Sequence, residues 1–272
     1  MTAEPQELPG LVEVATGGRL WIEARGSGLP VLLLHSGLVD SRMFDAQMDA
    51  LDTAGYRPIR FDFRGFGRSD RPEEQFSNID DAVAVLDALE LERAALVGSS
   101  LGGAIALSVA LEHADRVRAL ILAASGIPGY SDWSPRMRSI WDEVDQAMQA
   151  GDLERAQELD MSPWVLTLDE PSDDVIRQNG RENIGIFTID EELERPREAL
   201  EPRLGEITAP ALVVVGDRDV PEMLAIADLL ADRLPDARSP VVIEGADHLV
   251  PTRRPDEFNH TLLEFLRELD AA

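Results

Sequence analysis

The chain has 272 residues, with 52 Asp and Glu side chains against 25 basic ones, all of them arginine, and a formal net charge of −27. Such a charge opposes binding to nucleic-acid backbones and anionic membranes, because attraction to phosphate supplies most non-specific affinity. The absence of cysteine excludes disulfides, thiolate catalysis and cysteine-based zinc sites. A chain of this length buries enough apolar surface to fold without such cross-links, as one large domain or two small ones.

Residues 1–10 are polar and contain neither a basic stretch nor an apolar one, so they do not have the features of a secretion signal. The apolar runs of the chain are all far shorter than the ~20 residues that span a bilayer. We therefore expect a cytoplasmic protein that acts on a small molecule, with no nucleic-acid or membrane partner. The oligomeric state stays open, and a homodimer is one option.

Short β-branched runs alternate with helical patterns along the N-terminal half of the chain. The runs Leu11–Val14 and Leu20–Ala24 flank the turn sequence Thr16-Gly17-Gly18, which predicts a hairpin. The spacing of apolar residues then predicts strands at Val31–His35, Pro58–Phe61, Ala94–Val97 and Val117–Ala123, and helices at Met43–Ala54, Ile79–Leu89 and Leu101–Glu112. This alternation predicts an α/β fold with a mostly parallel central sheet and helices on both faces.

The segment 131–205 interrupts this alternation. It holds 19 Asp and Glu, 8 Arg and three of the four tryptophans, Trp133, Trp141 and Trp164. Because so long a loop without structure is rare, we predict a helical lid inserted in a core domain of residues 1–130 and 206–272. Its apolar underside would carry the tryptophans, since large rings must pack against something. Helical patterns cover Arg136–Ala150, Leu153–Leu159, Asp173–Asn179 and Glu191–Leu200.

After this segment the strand and helix alternation resumes. Strands are predicted at Ala211–Val215 and Pro240–Ile243, and helices at Met223–Leu234 and Asp256–Leu269. The carboxyl ends of these two strands lie at the same edge of the predicted sheet as those of the earlier parallel strands.

The motif with the clearest chemical meaning is Gly98-Ser99-Ser100-Leu101-Gly102. It follows a predicted strand and opens a predicted helix, the context in which G-x-S-x-G presents a nucleophilic serine on a sharp turn. Ser100 holds the middle position, whereas Ser99 is offset by one. The N–H groups and dipole of the helix N-terminus favour a developing oxyanion. The alternative is a Gly/Ser-rich turn without catalysis.

A serine hydroxyl needs a base and the base needs an orienting acid. The chain contains four histidines, and His248 follows the last predicted strand, at the sheet edge where Ser100 is expected. Asp219, three positions after the glycine that ends another strand, is predicted as the acid in preference to Asp217. Asp247 is adjacent to His248 in the same loop, and such neighbours do not readily face each other.

The chain order Ser100, Asp219, His248 resembles the nucleophile–acid–histidine order of the α/β-hydrolase superfamily. Two further segments support the resemblance. Residues 32–37 resemble the strand that ends in His-Gly in that superfamily, with Ser in place of the usual Gly, and residues 61–69 resemble its D-x-R-G-x-G-x-S segment.

The resemblance implies an α/β-hydrolase fold in which the 131–205 insertion is the lid. It also implies an oxyanion hole formed by the backbone N–H groups of Gly37 and Leu101, with Leu38 as an alternative donor. We expect substrate contacts from Leu38, Trp133, Trp141, Trp164 and Leu249.

The function implied is a serine hydrolase that cleaves a carboxylic ester or lactone of a small to medium substrate through an acyl-enzyme on Ser100. No cofactor and no metal are expected, because no His and carboxylate cluster has metal-binding spacing. A C–C bond hydrolase, a cofactor-free perhydrolase and an aminopeptidase are alternatives on the same fold. A non-catalytic regulator that senses a ligand under its lid is an alternative from a different class.

Overall fold

The computed structural model describes residues 8–271, and one eight-stranded sheet forms their centre. The strands are β1 Gly10–Glu13, β2 Arg19–Ala24, β3 Pro30–Leu34, β4 Arg57–Phe61, β5 Ala94–Ser99, β6 Val117–Ala123, β7 Ala211–Gly216 and β8 Val241–Ile243. They lie in the order β1-β2-β4-β3-β5-β6-β7-β8. The pairs β1–β2 and β2–β4 are antiparallel, and the remaining pairs are parallel. The predicted hairpin and the mostly parallel sheet are confirmed, while residues 1–7 and 272 of the predicted core lie outside the described residues.

The centre of the sheet is β5, which lies between β3 and β6 and is buried along its whole length. Strands covered on both faces consist of continuous apolar runs, which explains why they could be found in the sequence. Because the central strands are parallel, the loops that follow β3, β5, β7 and β8 meet at one edge of the sheet.

Helices cover both faces of this sheet. They are α1 Asp45–Thr53, α2 Asn78–Ala88, α3 Leu101–Glu112, α4 Pro135–Gln149, α5 Leu153–Met161, α6 Pro171–Glu182, α7 Pro221–Arg233, α8 Val250–Arg253 and α9 Pro255–Ala271. All residues of α3 from Gly102 to Ala110 are buried, as expected of a helix that is apolar all round. None of the helices within residues 8–271 is long and apolar enough to cross a membrane.

The 131–205 segment contains α4, α5, α6 and short 3-10 turns, one of them at Glu191–Leu193. The helix predicted over 191–200 is wrong beyond that turn. Phe76 donates its N–H to the carbonyl of Leu193 and accepts from the N–H of Arg195, so this stretch pairs with a distant loop in extended form. Pro196 also removes a donor that a helix would need. That the segment acts as a lid stays a prediction.

A buried arginine ties this segment to the core. Arg253 of α8 is 3% exposed and forms ion pairs with Asp173 at the start of α6 and with Asp247, the latter at 2.9 Å. Its guanidinium also donates to the carbonyl of Leu166, at 2.6 Å. A buried charge requires such partners, so the chain between α5 and α6 is fixed against the loop that contains Asp247.

Candidate active site

Ser100 stands on the tight turn between β5 and α3, with a φ of +53° and a ψ of −111°. Residues other than glycine rarely adopt a positive φ, and the surrounding structure must hold it. The Ser100 N–H donates to the carbonyl of Ala123, and the Ser100 carbonyl accepts from the N–H of Gly126. A Cβ at Gly102 would lie 2.0 Å from the Leu34 carbonyl oxygen, so the turn can form only with glycine there.

The structure brings the side chains of Ser100, His248 and Asp219 together from three different loops. His248 Nε2 lies 2.7 Å from Ser100 Oγ, and His248 Nδ1 lies 2.9 Å from Asp219 Oδ2. With the Nδ1 proton donated to the carboxylate, Nε2 is free to accept the serine proton. The second oxygen of Asp219 accepts from the N–H of Val220, at 2.8 Å, which fixes the carboxylate.

The two other carboxylates near the histidine have different partners. Asp217 accepts from the N–H of Gly245, at 2.6 Å, and so shapes the loop after β8. Asp247 is buried and accepts from Arg253 and from the backbone N–H of Leu166. Neither is placed to orient the imidazole of His248. Across residues 8–271, no group of three or more His, Asp or Glu side chains is placed to hold a metal ion.

The loop after β3 faces the N-terminus of α3. A Cβ built on Gly37 would lie 3.4 Å from the side chain of Leu101, so the two residues are neighbours. The N–H of Leu38 donates to Ser36 Oγ, at 3.3 Å, and is therefore already engaged. The N–H of Leu101, in the first turn of α3, has no partner within its helix. Ser36, which stands where the resembling motif usually has glycine, thus engages the N–H of the alternative donor Leu38. That Gly37 and Leu101 form the oxyanion hole stays a prediction.

His35, at the end of β3, holds this loop in place. Its Nδ1 lies 2.8 Å from the carbonyl oxygen of Ser36, and its Nε2 accepts from the N–H of Phe63, at 2.9 Å. Complete burial lowers the pKa of His35, so the ring stays neutral and keeps one donor and one acceptor. His35 therefore connects the Gly37 loop to the loop after β4.

A cavity of about 310 Å³ opens beside Gly37 and Leu101. Its apolar wall contains Phe66, Phe76, Val144, Met148, Ile186, Phe187 and Ile189. Its polar wall contains the carboxylates of Asp145, Asp160, Glu191 and Glu194, together with Asn78 and Arg64. The Arg64 guanidinium is held by the buried carboxylate of Asp81, at 2.6 Å. The cavity therefore presents a negative potential to whatever enters it.

Asp160 on α5 is a site residue that the sequence did not identify. Burial raises the pKa of its carboxyl to about 6, and the nearby positive charge of protonated His248 opposes that shift. With Gln157 it also borders a smaller recess of about 10 Å³, next to Gly37 and Leu38. In the sequence, the one feature that pointed to this site was the spacing of Gln157 and Asp160, three positions apart and therefore on one face of a helix. The sequence does not reveal which way that face points.

The three tryptophans of the 131–205 segment form a cluster in which Trp133 contacts the other two and Trp164 contacts His248. The ring of Trp164 lies 4.5 Å from that of His248, and Trp133 contacts Trp141 and Trp164 edge to face, at 5.1 and 6.2 Å between centroids. None of the three is among the residues that line the 310 Å³ cavity. Leu249 is fully buried. Of the five residues predicted to contact the substrate, Leu38 borders the smaller recess beside Gly37. Their part in substrate binding stays a prediction.

Known proteins resemble this chain in sequence and in structure over most of its length. Residues 31–261 match the alpha/beta hydrolase family. The AB hydrolase superfamily protein YisY of Bacillus subtilis is 32% identical over 220 residues, which cover 74% of this chain and 78% of that protein. A 2-hydroxy-6-oxo-6-phenylhexa-2,4-dienoate hydrolase of Comamonas testosteroni is 29% identical and covers 89% of both chains. The structure of Est816, described as an N-acyl homoserine lactone degrading enzyme, superposes with a TM-score of 0.79 at 28% identity, over 94% of this chain and 100% of the other.

Proposed function

Because the chain belongs to the alpha/beta hydrolase family, we propose that it is a serine hydrolase that cleaves a carboxylic ester or lactone through an acyl-enzyme on Ser100. The observation that carries this proposal is the hydrogen-bond chain from Ser100 Oγ through His248 to Asp219, with distances of 2.7 and 2.9 Å. Such a chain activates a serine hydroxyl, which is a weak nucleophile by itself.

In the proposed reaction, Ser100 Oγ attacks the substrate carbonyl carbon as its proton passes to His248 Nε2. The N–H groups of Gly37 and Leu101 stabilise the oxyanion, and Asp219 stabilises the imidazolium. Collapse of the tetrahedral intermediate breaks the bond to the leaving group, which takes the proton from His248. Water then attacks the acyl-enzyme, giving its proton to His248, and the second collapse releases the acid and restores Ser100.

The negative charge of the cavity wall favours a substrate with a neutral acyl group over one with an anionic acyl group. Four carboxylates line its wall, of which Glu194 is paired with Arg197, and the one arginine of the wall is paired with the buried Asp81. Within residues 8–271, the other three carboxylates of the wall have no ion pair. A substrate carboxylate would have to be desolvated beside like charges, which is unfavourable. The Comamonas relative is named for a dienoate, an anion at neutral pH, and this argument favours ester or lactone cleavage over the C–C bond hydrolysis of such a compound.

A fluorophosphonate probe tests the nucleophile directly, since it forms a covalent bond with an activated serine. We expect wild type to be labelled and Ser100→Ala to remain unlabelled. Ser99→Ala is the matched control, because Ser99 is fully buried and its hydroxyl has no hydrogen-bond partner in the described residues. Labelling of Ser100→Ala equal to wild type would show that the proposal is wrong, and an unlabelled wild type would favour the non-catalytic regulator.

The bond type is tested with p-nitrophenyl esters of graded acyl length, a lactone series, a dipeptide amide and a dienoate C–C substrate. We expect esters or lactones with small to medium neutral acyl groups to give the highest kcat/KM, since the cavity of about 310 Å³ limits the acyl size. A dienoate substrate cleaved faster than every ester and lactone would reassign the enzyme to C–C bond hydrolysis.

A further inference from the structure

The recess beside Gly37 contains two polar groups that the proposed hydrolysis does not use. Gln157 is 7% exposed, and its Nε2 has no hydrogen-bond partner within the described residues. Asp160, three positions further along α5, borders the same recess and also the larger cavity. A buried donor without an acceptor is unfavourable by itself, so such a group in a native structure requires an explanation.

The size and position of the recess indicate what it can hold. Its volume of about 10 Å³ admits a single water-sized group. Gly37 borders both the recess and the cavity, and its N–H is one of the two proposed oxyanion donors. A substituent in the recess would therefore belong to the acyl part of the substrate, close to the carbonyl group that is attacked.

We propose that this recess is a specificity subsite for a hydroxyl group carried by the acyl chain near the scissile carbonyl, recognised by Gln157 and Asp160. In this arrangement the hydroxyl O–H donates to the Asp160 carboxylate and its oxygen accepts from Gln157 Nε2. The inference rests on the proposed function, because it places the acyl group in the cavity beside Gly37.

Among substituents of an acyl chain, a hydroxyl satisfies both side chains, whereas an ammonium, a carboxylate or a methyl group does not. An ammonium group would leave the Gln157 donor unpaired, and a carboxylate would meet the like charge of Asp160. A methyl group would leave both polar groups without partners. A hydroxyl can also accept from Asp160 when that carboxyl is protonated, so the fit holds in both of its protonation states.

The test compares p-nitrophenyl esters that differ at one position of the acyl chain. The set is butanoate, 3-methylbutanoate, both enantiomers of 3-hydroxybutanoate, 2-hydroxybutanoate and 3-aminobutanoate. The methyl compound has the shape of the hydroxyl compound without its hydrogen bonds. We expect one hydroxy ester to exceed the methyl ester by about 10- to 100-fold in kcat/KM, the range for one or two hydrogen bonds that include a charged acceptor.

The variants Gln157→Leu and Asp160→Leu should each bring the ratio of kcat/KM for the preferred hydroxy ester to that for the methyl ester to within about threefold of one. Glu158→Gln is the matched control, because Glu158 lies on the same helix with a side chain that is 72% exposed. It should keep the full preference. Circular dichroism of each variant establishes that it is folded.

Equal kcat/KM for hydroxy and methyl esters in wild type would overturn the inference, as would a preference that survives both substitutions. A faster reaction with the amino ester than with every hydroxy ester would also overturn it, because the subsite would then select a cation. If wild type cleaves butanoate but ignores the hydroxyl, only the subsite assignment fails. If it cleaves none of the esters, the proposed function fails and this inference fails with it.

Discussion

Asp160 offers a quantitative link between burial and stability. Its carboxyl has a pKa of about 6 in the folded chain, against an ordinary value of 3.8. Between these two pH values the folded state holds a proton that the unfolded state has lost, so stability falls as the pH rises from about 4 to about 6. A pKa that differs this much between the folded and the unfolded chain corresponds to about 3 kcal/mol of folding free energy, which is lost in full above pH 6.

Replacement of Asp160 by asparagine removes the titrating group and keeps its size. We expect Asp160→Asn to raise the free energy of unfolding by about 3 kcal/mol at pH 7.5 but by only about 1 kcal/mol at pH 4.5, where wild type is largely protonated at this site. Urea unfolding of both proteins at the two pH values measures these differences. The control Glu158→Gln, at an exposed position on the same helix, should change stability by less than about 0.5 kcal/mol at either pH.

The comparison can contradict the argument in two ways. A stabilisation by Asp160→Asn that is the same at both pH values would mean that the gain does not come from removing a buried charge. A destabilisation at pH 7.5 would mean that the carboxylate makes a favourable interaction in the folded state that outweighs the cost of its burial.

Three further substitutions test other parts of the site. Asp219→Asn should lower kcat for the best ester by about 10⁴-fold through the wrong imidazole tautomer, whereas Asp217→Asn should leave it within about tenfold of wild type; equal losses would contradict the assignment of the acid. In urea unfolding, Gly102→Ala should lower the free energy of unfolding by about 3 kcal/mol or more, because the added Cβ would lie 2.0 Å from the last carbonyl oxygen of β3. The control Gly205→Ala, at an exposed position, should have little effect on this free energy. Arg253→Met should lower the free energy of unfolding by about 3–5 kcal/mol in the same assay, since it leaves the buried carboxylates of two aspartates without their cation. An unchanged free energy would mean that this group of ion pairs does not hold the 131–205 segment against the core.

The sequence was most informative where the structure is determined locally. Strands buried on both faces, such as β5, consist of continuous apolar runs, and the glycines around Ser100 are required by close backbone approach. The choice of Asp219 over Asp217 also agrees with the observed contact to His248, because a position further from the strand end reaches across to the neighbouring loop.

The sequence failed where distant parts of the chain decide the structure. The stretch around Arg195 has helical spacing, but its backbone pairs with Phe76, more than a hundred residues away. The face of α5 that carries Gln157 and Asp160 could not be recognised as part of the site, because its orientation depends on how the whole 131–205 segment packs. The sequence predicted that the tryptophans pack against other residues. It did not predict that Trp164 contacts His248, because that contact depends on how the 131–205 segment packs on the core.

The contact between Trp164 and His248 couples the tryptophan fluorescence of the chain to the candidate active site. A protonated imidazole quenches indole fluorescence on contact, and these two rings lie 4.5 Å apart between centroids. Trp133 adjoins Trp164, so excitation absorbed by the cluster can pass between the rings before emission. We therefore expect emission from the cluster to change when His248 gains or loses a proton, without the need for substrate or label. Stopped-flow mixing of this chain with an ester would test whether the histidine gains and loses a proton during the reaction, as the proposed function requires.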